Sequence, residues 1–247
     1  MGQKYGQHFL SDTNILEKIA FEIEQLSQEL SIQHIIEIGP GKWVLTKYII
    51  KLQKPLTLFE IDTQLAPVLQ KFSPPAQIIR GDILEQDLSS FQQQETLVVG
   101  NLPYYITSPI FRTCFESNTF IGGVFLIQKE VAEKSKTNAK KKSFLRWILN
   151  YHYHIDYCFS VPATAFHPAP KVESAVVRFH QTSVQECDFW KLLYVLDKIS
   201  GYKRKTLANC LKLSWLSLDL AKIPTTLLQK RLEELSREEM ILLVKNW

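Results

Sequence analysis

Ile15, Leu16, Ile19, Ile23, Leu26 and Leu30 recur at intervals of three and four residues, the repeat of one buried helix face. Ser11 and Asp12 precede the run and are residue types that start helices. From His34 the pattern changes. His34-Ile35-Ile36-Glu37-Ile38 is short and rich in β-branched residues, and it stops at Gly39-Pro40-Gly41. This predicts a strand, then a helix over about 44–52. Residues 56–59 predict a second strand closing on Glu60-Ile61-Asp62, followed by a helix over about 63–72. Residues 77–79 predict a third strand that runs into Gly81-Asp82. A fourth, at 96–99, runs into Gly100-Asn101-Leu102-Pro103-Tyr104, and a fifth lies at 124–127.

Apolar strands alternating with amphipathic helices imply an α/β fold, with a parallel sheet covered by helices on both faces. Later runs at 151–159 and 174–179 predict strands that close one sheet edge. Beyond about His180 the pattern is helical only. Phe189, Leu192, Leu193 and Leu196 share one face, and Leu227, Leu228, Leu232 and Leu235 share another. The division predicted is a domain over 1–180 and a small all-helical domain over 181–247. The polar segment 134–142 is predicted to be an exposed loop.

Composition narrows the class. The chain has 247 residues, 45% hydrophobic and 22% charged, which suits a globular protein with one sizeable core and an appendage. No apolar run approaches the roughly 20 residues of a membrane helix. The amino-terminal residues lack the apolar centre of a secretory leader, so the expected compartment is the cytoplasm. Cys114, Cys158, Cys187 and Cys210 are scattered, with no Cys-x-x-Cys pair, and read as reduced thiols. His152 and His154 alternate along a strand and read as a polar sheet face, so no metal site is expected. A net charge of +4 permits a nucleic-acid partner without demanding one. No heptad repeat argues against a monomer.

In open α/β sheets ligands bind beyond the carboxyl ends of the strands. Four of the five predicted ends carry suitable residues. Gly39 and Gly41 allow a tight turn and close approach to a ligand. Glu60 can accept hydrogen bonds from both hydroxyls of a ribose, and Asp82 can accept from an adenine amine. This pattern suits a nucleoside cofactor and leaves open whether it is a nicotinamide dinucleotide or S-adenosylmethionine. The third glycine favoured by dinucleotides is absent; Trp43 and Val44 stand there.

Asn101-Leu102-Pro103-Tyr104 follows the fourth strand. An adenine amine is a poor nucleophile, because its lone pair is delocalised into the ring. Methyl transfer needs that nitrogen to become tetrahedral, and acceptors aimed at its hydrogens favour this geometry. An Asn side-chain oxygen and a neighbouring backbone carbonyl supply two. Proline stiffens the turn, and Tyr104 offers a ring on which an extruded base can stack.

The chain resembles the small-subunit ribosomal RNA adenine dimethyltransferases over nearly its whole length. Lys4-Tyr5-Gly6-Gln7-His8-Phe9-Leu10 is similar to their amino-terminal signature. Glu37 to Gly41 with Leu45-Thr46 resembles their first cofactor motif, and Asn101-Leu102-Pro103-Tyr104 matches their catalytic motif. The blocks from Leu126 to Ala132, from Phe166 to Ala175, and from Lys203 to Asn209 resemble further blocks of that family. The resemblance implies a Rossmann-like class I methyltransferase sheet and S-adenosylmethionine as cofactor. It implies N6-methylation of adenines in small-subunit ribosomal RNA during ribosome biogenesis, with that RNA or an immature ribosomal subunit as partner. It implies that His8, Leu10, Gly39, Gly41, Glu60, Asp82 and Asn101 bind the cofactor. Asn101, Leu102, Pro103, Tyr104 and Phe166 would form the catalytic site, with Tyr104 and Phe166 sandwiching the target base. Lys134, Lys136, Lys140, Lys141 and Lys142, with Lys203, Arg204 and Lys205, would neutralise RNA phosphates.

Two features depart from the family pattern. Trp43 stands where a small residue is usual, and its indole either crowds the methionine pocket or turns into helix packing. The segment after Glu133 is also unusual, with Lys141-Lys142-Ser143-Phe144-Leu145-Arg146 at the expected place. Two other readings stay open: a large-subunit RNA methyltransferase of the erythromycin-resistance type, and a ribosome-assembly factor with weak or lost catalysis.

Overall fold

The computed structural model describes residues 8–65, 70, 76–91, 94–117, 119–135, 147, 153–182, 187–202, 204–216 and 222–247. The chain forms two compact units, one of 1–133 with 155–181 and the other of 134–154 with 182–247.

In the first unit, α1 (Thr13–Glu29) buries Leu16, Ile19, Ile23 and Leu26, the face its spacing predicts. Asp12 caps it by accepting a hydrogen bond from the Ile15 N–H at 3.1 Å. The strands β2 (His34–Ile38), β3 (Leu56–Glu60), β4 (Ala76–Arg80), β5 (Thr96–Asn101), β6 (Phe120–Gln128), β7 (Tyr153–Val161) and β9 (Ser174–Gln181) make a seven-stranded sheet in the order β4-β3-β2-β5-β6-β9-β7. β2 through β6 pair in parallel, and β9 joins β6 antiparallel. The late strands therefore extend one side of the parallel sheet. β1 (Phe9–Leu10) pairs separately with β8 (Phe166–His167).

All five residues of β2 and of β3 are buried, as strands covered on both faces require. One face packs under α1 through Ile35, Leu58, Leu97, Val99 and Leu126. On the other, Phe111 and Phe115 of α3 (Thr107–Glu116) meet Phe125 and Phe179, with ring centroids 4.9 to 5.6 Å apart. The chain winds from β2 toward β4, then returns to add β5 and β6 on the other side. That reversal puts a crevice at the carboxyl ends of β2 and β5.

Two local expectations are corrected, and a third lies largely outside the described residues. The helix expected over 44–52 starts late, as α2 (Thr46–Ile49), after the left-handed Trp43 (φ 58°), and finishes as a 3₁₀ turn (Ile50–Leu52) before Gln53, whose left-handed φ of 54° ends it at the expected place. Lys134 and Ser135, expected in a loop, end helix α4 (Lys129–Ser135); residues 136–142 lie outside the described residues. The helix expected over 63–72 falls largely outside them too.

The second unit contains α5 (Phe189–Ser200), α6 (Leu207–Ser214), α7 (Thr225–Gln229) and α8 (Arg237–Lys245). Asp188 caps α5, and a reciprocal Ser236–Glu239 pair caps α8. Leu227 and Leu232 do not share one helix. Lys230 and Arg231 are extended, because Arg231 bridges Thr206 and the Lys230 carbonyl accepts from the Leu207 N–H at 2.7 Å. Leu227, Leu232 and Leu235 are nevertheless buried. Among the described residues no helix is long and apolar enough to cross a membrane.

Candidate active site

The crevice holds a cavity of about 210 Å³ lined by residues from four strand ends and from β1. At the end of β2, Gly39 and Gly41 take left-handed φ values of 66° and 56°. A side chain at either would strain the backbone, and a Cβ on Gly41 would stand 3.1 Å from the Phe9 ring. The Gly39 N–H donates to the Phe59 carbonyl at 2.9 Å, tying this turn to β3.

Glu60, at the end of β3, is 2% exposed. Its Oε2 accepts from the Gly41 N–H at 3.0 Å and its Oε1 from the Asp62 N–H at 2.9 Å. Burial raises its pKa, and these backbone donors oppose the rise. Glu37 is buried too, with Oε2 accepting from the Thr46 hydroxyl at 2.7 Å. Burial pushes its carboxyl up to about 8; the Thr46 bond lowers it and the charge of Glu60 raises it further. At the end of β4, Asp82 Oδ1 accepts from the Leu84 N–H at 3.0 Å, which caps a short turn.

At the end of β5 the Asn101 Nδ2 donates to the His8 carbonyl at 3.0 Å. That bond commits the nitrogen and leaves Oδ1 as the acceptor side of the amide. The Leu102 N–H donates to the Leu126 carbonyl at 3.1 Å, anchoring the turn to β6. The Pro103 carbonyl is engaged, accepting from the Ile106 N–H and the Thr107 hydroxyl, each at 3.1 Å. The Tyr104 hydroxyl shares a hydrogen bond with the Ser174 hydroxyl at 2.5 Å, and the His8 ring stacks on Tyr104 with centroids 5.6 Å apart. Burial raises the Tyr104 pKa and the Ser174 bond opposes it. His8 is held by its Nδ1–H donating to the Pro168 carbonyl at 2.8 Å.

The structure thus brings His8, Leu10, Gly39, Gly41, Glu60, Asp82, Asn101, Leu102, Pro103 and Tyr104 around one cavity. It does not bring Phe166 there. That side chain is 4% exposed and packs in the core, opposite Leu10 across the β1–β8 pair. Trp43 is outside the lining as well. It packs half-buried against the core, with a left-handed φ of 58°. Residues 4–7 of the amino-terminal signature lie outside the described residues.

Sequence reasoning missed the apolar walls Ile61 and Ile83, the exposed Tyr105, and the partner Ser174. Ile61 and Ile83 each follow an acid that was singled out, and that adjacency was the available signal. Ser174 reaches Tyr104 because β9 pairs with β6, in a register that sets Gln128 opposite Ser174. Lys129 there meets Glu173 at 2.7 Å, so three separate sequence blocks converge.

Comparisons with known proteins agree with this geometry. The family model described as ribosomal RNA adenine dimethylase matches residues 1–247. A ribosomal RNA small subunit methyltransferase A of Lactococcus lactis is 35% identical over 97% of this chain and 85% of its own length. The enzyme of that name from Lachnoclostridium phytofermentans is 34% identical, over 94% and 83%. Among solved structures, a dimethyladenosine transferase from Plasmodium falciparum superposes with a TM-score of 0.72 at 21% identity, covering 96% of each chain. The 23S rRNA methyltransferase ErmE gives 0.70 at 20%, over 96% of this chain and 98% of its own, a likeness of fold. A seven-stranded α/β sheet with a site at its switch point, matched from end to end by one family model, establishes that this chain belongs to the ribosomal RNA adenine dimethylase family.

Proposed function

We propose that this protein transfers methyl groups from S-adenosylmethionine to the N6 amines of adenines in small-subunit ribosomal RNA. The observation that carries the reading is the Asn101 amide. Its nitrogen is fixed on the His8 carbonyl, and the cavity beside it is also lined by Gly39, Glu60 and Asp82.

The residues fit the cofactor. Each Glu60 oxygen accepts one backbone N–H and keeps a further acceptor site, which suits the two hydroxyls of a ribose. Asp82 spends Oδ1 on its turn, leaving Oδ2 for an exocyclic amine, and Ile61 and Ile83 supply apolar walls for a purine. The Gly39 turn would hold the methionine part, with His8 and Leu10 closing the amino-terminal side. Trp43 lies outside the lining, so it leaves this space clear and does not favour a lost activity. Bound there, S-adenosylmethionine supplies an electrophilic methyl group whose departing sulfur becomes a neutral thioether.

The chain's own work is to present the amine. Asn101 Oδ1 and the Leu102 carbonyl accept its two hydrogens; the Pro103 carbonyl is already taken. These acceptors favour a tetrahedral nitrogen, whose lone pair forms the new bond to carbon before a proton passes to water. Tyr104 stacks the base on the face that His8 leaves uncovered. Phe166, packed in the core outside the cavity, has no part in this reading and supports the β1–β8 pair instead.

The helical unit would dock on the RNA, with Lys203, Arg204, Lys205 and the lysines of 134–142 neutralising phosphates. An immature small subunit in the cytoplasm, met by a monomer, completes the proposal. The test is incubation with tritiated S-adenosylmethionine and undermethylated subunits of each size. Label in small-subunit adenines is expected, and Asn101→Ala should abolish it while RNA binding survives. Label confined to large-subunit RNA would overturn the assignment, and equal loss of transfer and binding would make Asn101 a structural residue.

A further inference from the structure

The second unit carries an aromatic surface that the methyl-transfer site does not use. Helix α5 buries Phe189, Leu192, Leu193, Val195, Leu196 and Ile199. Its opposite face exposes Trp190 at 63% and Tyr194 at 44%. Residues four apart lie on one face about 6 Å along the axis, so Trp190, Tyr194 and Lys198 form a row. The Tyr194 ring stacks on Trp247, with centroids 4.6 Å apart and planes 22° from parallel. Lys198 Nζ stands 5.3 Å from the Tyr194 centroid and Lys191 Nζ 5.7 Å from that of Trp247. Asp197 is the one acid on α5, against Lys191 and Lys198.

Trp190, Tyr194 and Trp247 are contiguous, exposed and flanked by lysines, and it is a grouped aromatic patch of this kind, rather than a single exposed ring, that marks an interaction surface. The chemistry selects the partner. Rings spaced one helical turn apart match successive bases of an extended strand, and lysines beside them match its phosphates. We infer that the exposed face of α5, with Trp247, is a stacking surface for unpaired RNA nucleotides. This rests on the RNA-directed function proposed above and goes beyond it, because it assigns recognition of unstacked bases to the helical unit. Arg204 and Lys205 follow the carboxyl end of α5 in the chain and add positive charge to the same unit.

The test uses the full chain and two labelled probes, a twelve-nucleotide oligo(A) strand and a blunt RNA duplex of equal length. Fluorescence anisotropy should show Trp190→Ala with Tyr194→Ala losing single-strand affinity on the order of tenfold per ring, with duplex affinity kept. Trp190→Phe should restore most of the loss at that position, and circular dichroism should confirm that every variant is folded. Lys191→Gln with Lys198→Gln should flatten the salt dependence of single-strand binding. Unchanged single-strand affinity, or equal loss on both probes, would overturn the inference. So would a dimer that the ring variant converts to monomer while RNA affinity stays put, since the face would then mate with a second copy. Asn101→Ala is run alongside. Intact methyl transfer with ring-independent oligonucleotide binding sinks this inference alone, whereas ring-dependent binding without transfer to either subunit sinks the enzymatic reading alone.

Discussion

Replacing Glu37 with glutamine isolates what an ionisable group costs beneath the donor cavity. Glu37 is 2% exposed, and its carboxyl moves from an ordinary 4.5 up to about 8, mainly through burial. In the unfolded chain it ionises near the ordinary value; in the folded chain it holds its proton until about 8. Its contribution to stability is therefore complete below pH 4.5 and is lost as pH rises through 8. Within that window each pH unit removes about 1.4 kcal/mol, so the loss from pH 6 to pH 9 is roughly 2–3 kcal/mol. Glutamine keeps the shape and a carbonyl acceptor for the Thr46 hydroxyl, and it does not titrate. Urea unfolding of both proteins at pH 6, 7, 8 and 9 gives the comparison, in which groups titrating in both chains cancel. The variant should gain on the wild type by about 2 kcal/mol across the series. Parallel curves would refute the reasoning, because Glu37 would then titrate alike in the folded and unfolded chains.

A Cβ at position 100 would lie 2.7 Å from the Ile38 carbonyl oxygen and 3.0 Å from Leu102 Cδ2. Gly100→Ala should therefore lower stability by about 1–3 kcal/mol and, by displacing Asn101, lower turnover more than cofactor affinity; thermal unfolding and calorimetry read the two effects. Trp43→Ala should lower the melting temperature while cofactor affinity stays within about twofold, since the indole packs on the core rather than in the cavity. A large gain in affinity would place that ring in the methionine pocket. Tyr104→Phe should cost about 1 kcal/mol through the lost Ser174 bond and keep most of the transfer rate. Tyr104→Ala should reduce transfer further than it reduces cofactor affinity, and equal losses would rule out stacking.

The strands were legible because both faces are covered, which leaves runs such as Ile35-Ile36 that only a doubly packed sheet accommodates. Gly39, Glu60, Asp82 and Asn101 were legible as a group because a parallel sheet delivers successive strand ends to one edge. What stayed hidden was set at long range. His8 lies 93 residues from Asn101 and Ser174 lies 70 from Tyr104, and no local spacing encodes either pair. The insertion of β9 between β6 and β7 is likewise a matter of sheet order. Glu37 was read within its glycine motif, but its burial comes from a strand covered on both faces, and its partner Thr46 is met only in the fold. The break between Leu227 and Leu232 was invisible because apolar spacing continues across it, while a bridge to Thr206 holds the intervening backbone extended.

The carbonyl that steadies the Asn101 amide belongs to residue 8 of the chain. That carbonyl is followed by a strand of only two residues, Phe9–Leu10, held to Phe166–His167. Loosening this short pairing would free the amide to turn over and offer its nitrogen where the oxygen is needed. Orientation of the reacting group therefore hangs on one of the smallest sheets in the molecule, far in sequence from the turn that carries it.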